Sequence, residues 1–174
     1  MSKARPLPAQ DFLREVFTYC SKSGELRWAR KTCRNMRVQR VAGYVGHQGY
    51  RVVTINKIPW QAHRLIWKLV YGEEPRFIDH IDGDKSNNRL SNLRECSQAE
   101  NNRNCPPSVR NKTGVKGLSV FRGKWRARVV KDGKELSRCF DRDRKDEAIN
   151  WLIEKRVKLH GDFANLLDIS EATS

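Results

Sequence analysis

The segment that decides the predicted fold is residues 77–104, FIDHIDGDKSNNRLSNLRECSQAENNRN. It begins with an apolar pair, Phe77 and Ile78, and then turns through the polar residues 82–84. It ends in the stretch 97–104, where a serine and a glutamate have the spacing of a helix-capping box. A short strand, a structured loop and a helix are therefore expected in close succession.

Three polar side chains of this segment have the chemistry that hydrolysis of a phosphodiester requires. Such a reaction needs a base that removes a proton from water and a cation that neutralises the charge developing on phosphorus. Asp79 and His80 place a carboxylate beside an imidazole, and in a strand these two side chains point to opposite sides. Asn101 adds a neutral oxygen from the following helix. One carboxylate and one amide leave coordination positions for water and phosphate, which suits Mg²⁺.

Upstream of this segment the pattern indicates helices and strands in alternation. Residues 9–19 form either a short helix or an extended entry segment, and residues 43–56, GYVGHQGYRVVTIN, have the alternation of strands joined by tight turns. Residues 60–72, WQAHRLIWKLVYG, have apolar side chains at helical spacing and end in Gly72, a residue suited to a helix C-cap.

The stretch HRLIW, followed by IDHIDGDKSNNRLSNLRECSQAENNRN, resembles the HNH homing-endonuclease family and in particular its phage-encoded branch. The resemblance spans residues 61–105. It implies a ββα-metal fold, in which two strands and a helix hold one divalent ion, with Mg²⁺ expected and Mn²⁺ as the alternative. It also implies that the protein hydrolyses double-stranded DNA in the cytoplasm of a phage-infected bacterium, as a homing or free-standing nicking enzyme.

The same resemblance gives four residues a role. Asp79 becomes a metal ligand and His80 becomes the general base. Asn92, in SNLR, becomes the middle asparagine that orients the motif loop and supports the base. Asn101, nine residues after Asn92, becomes the second metal ligand.

Two points of this assignment stay open. Asn102 and Asn104 are close enough to Asn101 in sequence to compete for the role of second ligand. His63 matches a recurrent family histidine and is a candidate supporting residue, either structural or facing a phosphate.

Simpler interpretations exist for each residue taken alone. Asp79 could begin a turn and Asn92 could close a loop, but the joint pattern favours the nuclease. A calcium-binding EF-hand is excluded, because counted from Asp82 the sixth position is Asn87 rather than glycine and the twelfth is Leu93 rather than glutamate.

The charge of the chain points to a polyanionic partner. Its 174 residues include 35 Lys and Arg against 20 Asp and Glu, a net charge of +15. Nucleic acid is the first candidate and an acidic membrane surface the second. Residues 1–60 carry +9, residues 61–105 carry zero and residues 106–174 carry +6, so two basic flanks surround a neutral middle that contains the acids.

Other classes of protein are disfavoured by what the sequence lacks. It has no apolar run long enough to span a bilayer, and its basic start is not followed by the apolar stretch of a secretory signal. We therefore expect a soluble, intracellular protein. A zinc knuckle needs closely spaced ligand pairs, but the five cysteines include no Cys-x-x-Cys pair and are expected to be reduced thiols.

The sequence predicts an α+β protein of two domains. The nuclease domain with its basic N-terminal strands occupies residues 1–105, and residues 106–113 have the composition of a linker. The second domain, residues 114–168, has three strand-like runs and one long helix, with a hairpin signal at Asp132-Gly133. The side chains of this helix that are expected to face the sheet are Ala148, Leu152, Ile153, Val157 and Leu159.

The motifs GVKG, GKW and EAINW of this second domain resemble the plant ethylene-response-factor/APETALA type of DNA-binding domain, a three-stranded antiparallel sheet packed on one helix. The resemblance implies that the sheet enters the major groove. Arg126 and Arg128 alternate with apolar residues and should face DNA, with Lys116, Arg122 and Lys124 as supporting contacts. The base preference does not carry over, because Arg128 and Arg122 depart from the plant pattern.

Two other functions compete with the nuclease. A catalytically silent DNA-binding regulator on the same scaffold is the main alternative, and the intact catalytic set argues against it. RNA binding is weaker, because the exposed strand face lacks the aromatic pairs of a stacking platform. The basic stretch 30–40 is a third candidate contact surface, with a solvated loop as the plainer interpretation. No protein partner is implied, and the sequence leaves monomer or dimer, target and strand choice open.

Overall fold

The structure of the protein is a computed structural model that describes residues 5–31, 34, 37–105, 107–108, 110–166 and 168–169. Residues 1–4 and 170–174, Pro106 and Val109 of the predicted linker, Leu167 of the predicted second domain and four residues of the basic stretch 30–40 lie outside this description. The chain forms two compact units, Met1–Ser97 and Gln98–Ser174. Each combines helices with antiparallel strands, so the α+β class is confirmed. The unit boundary precedes the predicted linker, and the assignment of sequence domains stays a prediction.

The first unit contains two α-helices, one 3₁₀ helix (Leu90–Asn92) and seven strands among its described residues. The strands pair as β1-β2, as β3-β4-β5 and as β6-β7, all antiparallel. In chain order the elements are α1 (Gln10–Val16), β1 (Phe17–Cys20), β2 (Glu25–Trp28), β3 (Tyr44–Val45), β4 (Arg51–Ile55), β5 (Ile58–Gln61), α2 (Ala62–Tyr71), β6 (Ile78–His80) and β7 (Leu93–Glu95).

Helix α2 forms where the apolar spacing predicted it. Ala62, Leu65 and Ile66 are fully buried in the core of the first unit, together with side chains of α1. The helix ends at Gly72, which has the left-handed φ of 75° and donates its N–H to the Lys68 carbonyl at 2.9 Å. The apolar face anchors α2 and brings its His63 side chain to a buried position beside β6.

Strands β6 and β7 are short and enclose a long connection, residues 81–92, which we call the motif loop. In their register Ile78 lies opposite Glu95, Asp79 opposite Arg94 and His80 opposite Leu93. All three residues of β6 are buried, so the chemistry-bearing residues of this strand lie inside the protein rather than at its surface.

The β1–β2 hairpin holds the motif loop from a distant part of the sequence. The hydroxyl of Tyr19 donates to the Asn88 carbonyl at 3.0 Å and accepts from the Leu90 N–H at 3.1 Å. Arg89 Nε donates to the Lys22 carbonyl at 2.7 Å. Gly24 lets the hairpin approach closely, because a Cβ at this position would lie 2.6 Å from the Arg89 backbone nitrogen.

The second unit begins with a short helix and continues with a three-stranded antiparallel sheet in the order β10-β9-β8. A long helix packs mainly on β9, as the sequence predicted, and the β9–β10 turn is formed by Asp132 and Gly133, both with positive φ. The elements are α3 (Gln98–Asn104), β8 (Leu118–Phe121), β9 (Lys124–Lys131), β10 (Lys134–Phe140) and α4 (Lys145–His160).

One detail of the predicted α4 face is wrong. Leu152 is buried as expected, but Val157 is half-exposed and Arg156 lies on the buried line of the helix instead. Arg156 tolerates this position because Asp168 neutralises it at 2.9 Å and the Lys116 carbonyl accepts a further hydrogen bond from its guanidinium.

Two general features of the described residues bear on the predictions from composition. No helix among them combines the length and apolar character needed to cross a bilayer. The described cysteines form no disulfide, whereas Cys33 lies outside the description. These cysteines are Cys20, Cys96, Cys105 and Cys139.

Replacing Gly24 by alanine should loosen the motif loop from the β1–β2 hairpin. Gly24 has φ of 75°, and its added Cβ would clash with backbone. Gly49 is a matched control, because its φ is 85° but its Cβ would meet the Lys85 side chain at an ordinary 3.6 Å. We expect G49A to lower the unfolding free energy of the first unit by about 1–2 kcal/mol from backbone strain, and G24A to lower it by more. Hydrogen–deuterium exchange at Leu65 measures both, and equal losses would contradict the clash.

Candidate active site

Strand β6 places Asp79 and His80 next to each other in a buried position. Asp79 is 5% exposed and His80 is 4% exposed. Their side chains meet different partners, as expected for neighbours on a strand: Asp79 pairs across the ladder to β7, whereas His80 packs against α2 and the motif loop. A buried carboxylate and a buried imidazole each require polar partners, and these partners define the site.

Arg94 is the partner of Asp79. Arg94 Nε and Nη2 donate to Asp79 Oδ2 at 2.9 and 2.7 Å, across the register of β6 and β7. This pair compensates the buried carboxylate charge and fixes the orientation of the carboxylate plane. The sequence analysis did not identify Arg94. Its position in SNLR, two residues after Asn92, would have pointed to it only if the pairing of the two strands had been known, because that pairing places Arg94 opposite Asp79.

His80 is held by Asn88 of the motif loop. The distance from His80 Nε2 to Asn88 Oδ1 is 3.1 Å, and Asn88 is 1% exposed. Burial lowers the pKa of His80, and the hydrogen bond with Asn88 opposes that shift. The imidazole is therefore neutral near neutral pH and is able to accept a proton.

The sequence predicted that Asn92 orients the loop and supports the base. The side chain of Asn92 forms hydrogen bonds with other residues of the motif loop. Its Oδ1 accepts from the Asp82 N–H at 3.0 Å, and its Nδ2 donates to Asp82 Oδ1 at 2.8 Å and to the Asn87 carbonyl at 2.9 Å. Asn92 thus joins the two ends of the motif loop, and the asparagine in contact with the His80 ring is Asn88, which the sequence analysis did not single out. Two neighbouring asparagines in NNRLSN give no local signal for which one faces the ring.

The acidic residues of the motif loop are engaged by the loop itself. Asp82 accepts from the Asp84 N–H at 2.9 Å and from Asn87 Nδ2 at 2.6 Å. Asp84 accepts from the N–H and the hydroxyl of Ser86 at 2.9 and 2.7 Å, and these bonds lower the pKa of Asp84. The loop is therefore organised by successive Asx turns.

His63 lies against His80 at the other side of the site. The two rings meet edge to face with centroids 5.0 Å apart, and the Tyr50 ring lies 5.4 Å from His63 and 5.9 Å from His80. Lys85 Nζ is 4.9 Å from the Tyr50 ring centre and donates to the Gln48 carbonyl at 3.2 Å. The position of His63 against His80 is compatible with the predicted supporting role, which stays a prediction. Tyr50 and Lys85 are neighbours that the sequence analysis did not identify.

His63 is also a buried base without a full set of partners. It is 4% exposed, and its Nδ1 has no hydrogen-bond partner. Burial, and then the neighbouring His80, lower the pKa of His63 from its usual 6.5 to about 3. His63 is therefore neutral at any working pH, and a charged imidazolium does not arise beside His80.

The donors available to a metal ion are few. Within the described ranges no group of three or more His, Cys, Asp or Glu side chains could hold a metal. Asp79 belongs to the first unit, and Asn101 is a half-buried residue of α3 in the second. Asn102 and Asn104 have carbonyls that accept from Lys116 Nζ at 2.7 Å and from Asn165 Nδ2 at 2.5 Å. Their backbones thus anchor α3 within the second unit.

The arginines predicted to face DNA lie on the sheet face opposite α4. Ala127 and Val129 are buried under the helix, so Arg126 and Arg128 project from the other face of β9. Arg126 Nη2 lies 2.6 Å and Arg128 Nη1 lies 3.5 Å from the two carboxylate oxygens of Glu135 on β10. One glutamate thus links both arginines, a contact that the sequence analysis did not foresee.

The three residues predicted as supporting DNA contacts lie in different environments. Lys124 pairs with Asp141 at 2.9 Å and is exposed, and the Arg122 guanidinium lies 5.3 Å from the exposed Phe121 ring. The Lys116 ammonium instead donates to the carbonyls of Asn102, Arg103 and Cys105 at 2.7–3.2 Å, and burial lowers its pKa. Lys116 therefore caps the C-terminal end of α3.

Comparison with known proteins gives one family and two viral relatives. Residues 61–103 match the family described as HNH endonuclease. Protein 3.8 of Escherichia phage T7 is 36% identical over 106 residues, which are 59% of this chain and 86% of that protein. The uncharacterized HNH endonuclease L560 of Acanthamoeba polyphaga mimivirus is 34% identical over 133 residues, 73% of this chain and 67% of the relative. No solved structure matches the chain.

Replacing His63 by phenylalanine should flatten the acid dependence of stability. The folded-state pKa of His63, about 3, is below the unfolded value of 6.5, so the unfolded chain binds the proton first. The stability due to the neutral ring is complete above the unfolded pKa and is lost as the pH falls toward the folded pKa, by up to about 1.4 kcal/mol per pH unit.

Urea unfolding of the wild type and of His63→Phe across the range below the usual histidine pKa measures this difference. The exposed His47 provides the control, because His47→Phe should leave the pH dependence of the wild type unchanged. Parallel curves for wild type and His63→Phe would contradict the burial of a neutral His63.

Proposed function

The chain belongs to the HNH endonuclease family, and on that premise we propose that it hydrolyses phosphodiester bonds of double-stranded DNA with the help of one divalent metal ion. The observation that carries the proposal is the pair on β6, in which a buried neutral imidazole, His80, follows a buried carboxylate, Asp79. These are the two groups that the reaction needs, on one short strand inside the segment that matches the family.

His80 is the proposed general base. A neutral imidazole removes a proton from the water that attacks phosphorus, and a positioned base of this kind contributes roughly 10²–10⁴-fold to the rate. Its contacts with Asn88 and His63 restrict the ring on two sides, so the imidazole is presented in one orientation. The proton then leaves through solvent when the imidazolium is deprotonated.

Asp79 is the proposed metal ligand, with Asn101 as the proposed second oxygen donor. Carboxylate and amide oxygens are hard donors, which fit Mg²⁺ and also accept Mn²⁺. A divalent ion held there would neutralise the charge that develops on phosphorus and on the leaving oxygen. Arg94 orients the carboxylate through Oδ2 and adds a positive charge at the side of Asp79.

The open face of the second unit is the proposed DNA-reading surface, on the ethylene-response-factor/APETALA-like arrangement. A three-stranded sheet on one helix, with two arginines on the face away from the helix, supports this assignment. Arg126 and Arg128 are the proposed base or phosphate contacts, with Lys124 and Arg122 at the β8–β9 end. Glu135 orients the guanidinium groups of both arginines and neutralises part of their positive charge.

The relatives support a viral role. The similar proteins belong to a bacteriophage and to a giant virus, and one of them is described as an HNH endonuclease. We propose a homing or free-standing endonuclease that acts on DNA in an infected cell. A single catalytic site of this kind nicks one strand most simply, and a double-strand cut needs a second event or a second copy.

Replacing His80 by alanine should abolish cleavage and leave DNA binding nearly unchanged, because the base takes part in the chemical step and not in holding the duplex. Nicking of supercoiled plasmid or phage DNA with Mg²⁺ or Mn²⁺ measures cleavage, and fluorescence anisotropy measures DNA binding. His47→Ala, at an exposed histidine, is the control and should cleave like the wild type. A wild type that binds but cuts no DNA would favour the silent regulator.

Replacing Arg128 by alanine should weaken DNA binding and leave the midpoint of a metal titration of cleavage in place. Loss of one phosphate contact reduces the slope of the logarithm of the DNA-binding constant against the logarithm of salt concentration by about 0.9 in magnitude. Arg138→Ala removes the same charge from the other face of the sheet, where Arg138 lies opposite the buried Ala127, and should change the salt dependence little. Equal effects of the two variants would show that charge alone, and not the open face, binds DNA.

A further inference from the structure

We propose that Asn88 is a positioning residue for the catalytic base: its side-chain oxygen accepts the Nε2–H of His80 and so selects the tautomer in which Nδ1 takes the proton from water. The inference rests on the proposed role of His80. It assigns to Asn88 a function that the sequence pattern had given to Asn92, and it identifies the ring nitrogen that does the chemistry.

The contact has an ordinary hydrogen-bond length and is shielded from water. His80 Nε2 and Asn88 Oδ1 are 3.1 Å apart, and both residues are more than nine-tenths buried. A neutral imidazole has one N–H and one lone pair, and an amide oxygen is an acceptor. The hydrogen bond therefore places the proton on Nε2 and the lone pair on Nδ1.

The same bond also favours the next step of the reaction. When Nδ1 has taken a proton, His80 is an imidazolium with two donors, and Asn88 Oδ1 continues to accept from Nε2. The bond then becomes charge-assisted and roughly twice as strong as a neutral one. Asn88 thus stabilises the protonated product of the base more than the free base, which lowers the barrier for proton removal.

The amide of Asn88 is oriented at a cost. Its Nδ2 is buried and has no hydrogen-bond partner. A buried donor without a partner destabilises the folded protein. The reverse orientation would put this donor on His80 Nε2, would leave the proton on Nδ1 and would disfavour the imidazolium. An unpartnered donor at this place is the expected consequence of presenting the oxygen to the base.

The backbone of Asn88 is fixed independently of His80. Tyr19 donates its hydroxyl hydrogen to the Asn88 carbonyl at 3.0 Å and binds the Leu90 N–H at 3.1 Å. A Cβ added at Gly24 would lie 2.8 Å from the Asn88 carbonyl carbon, so the hairpin passes close to this backbone. Since Asn92 holds the loop ends through Asp82, the two asparagines divide the work: Asn92 shapes the loop and Asn88 holds the ring.

The tautomer of His80 in the full-length wild-type protein is the direct test. Long-range ¹H–¹⁵N correlation spectra of the uniformly labelled protein, with His80→Ala to assign the ring, distinguish a protonated Nε2 from a protonated Nδ1. We expect Nε2–H in the wild type and a mixture of tautomers in Asn88→Leu. A wild-type ring with the proton on Nδ1 would overturn the proposal whatever the kinetics.

Single-turnover nicking of supercoiled plasmid with Mg²⁺ gives the second readout. Asn88→Leu should lower the rate constant of the chemical step by about 100-fold and leave the DNA dissociation constant within about twofold. Asn88→Asp keeps an acceptor oxygen at the same place and should restore the Nε2–H tautomer and most of the rate. Asn150→Leu and Asn150→Asp, at an exposed position of α4, should match the wild type in both measurements.

The outcomes separate this proposal from the function it rests on. Asn88→Leu with wild-type cleavage, while His80→Ala is inactive, would remove Asn88 and keep His80 as the base. Wild-type cleavage by His80→Ala would remove the base assignment itself. If Asn88→Leu does not fold, the wild-type tautomer and the rate of Asn88→Asp still decide, because an inactive, folded Asn88→Asp with the Nε2–H tautomer would contradict the positioning role.

Discussion

A carboxylate and an imidazole that are buried on neighbouring positions of a three-residue strand need polar partners, and this requirement organises the first unit. Asp79 has Arg94 across the β6–β7 ladder, and His80 has Asn88 of the motif loop. Either buried group without its partner would carry a large desolvation penalty. The ladder that pairs β6 with β7 therefore also sets the direction of the two side chains that the proposed chemistry uses.

The motif loop has no hydrophobic core of its own and is fixed by hydrogen bonds instead. Its carboxylates and amides bind the backbone N–H groups of the loop in successive turns, and Asn92 closes the two ends. Polar residues at close spacing thus take the place of packing. Asp82 and Asp84 are engaged in shaping the loop, which leaves Asp79 as the one carboxylate assigned to the proposed hydrated ion.

Local periodicity was the part of the fold that could be predicted. The buried face of α2, its end at Gly72 and the Asp132-Gly133 turn follow from spacing and backbone preference, and the structure confirms them. The partners of the site residues could not be predicted in this way. Arg94 depends on strand register and Asn88 on the path of a loop, both fixed by tertiary contacts. The apolar character of Val157 predicted a buried position, but Val157 is exposed. Arg156 is buried on that face of the helix instead, because Asp168 neutralises its charge.

The anchors of the motif loop lie far outside the segment that carries the family signature. Tyr19 and Lys22 belong to the β1–β2 hairpin and Gln48 precedes β4, whereas the family match begins at residue 61. The motif loop is thus held by contacts of large sequence separation, and a truncation to the matched segment would remove them. A fragment cut to residues 61–103 would keep Asp79 and His80 but lose the hairpin contacts that fix the motif loop, so a transplanted version of this nuclease should also include the β1–β2 hairpin.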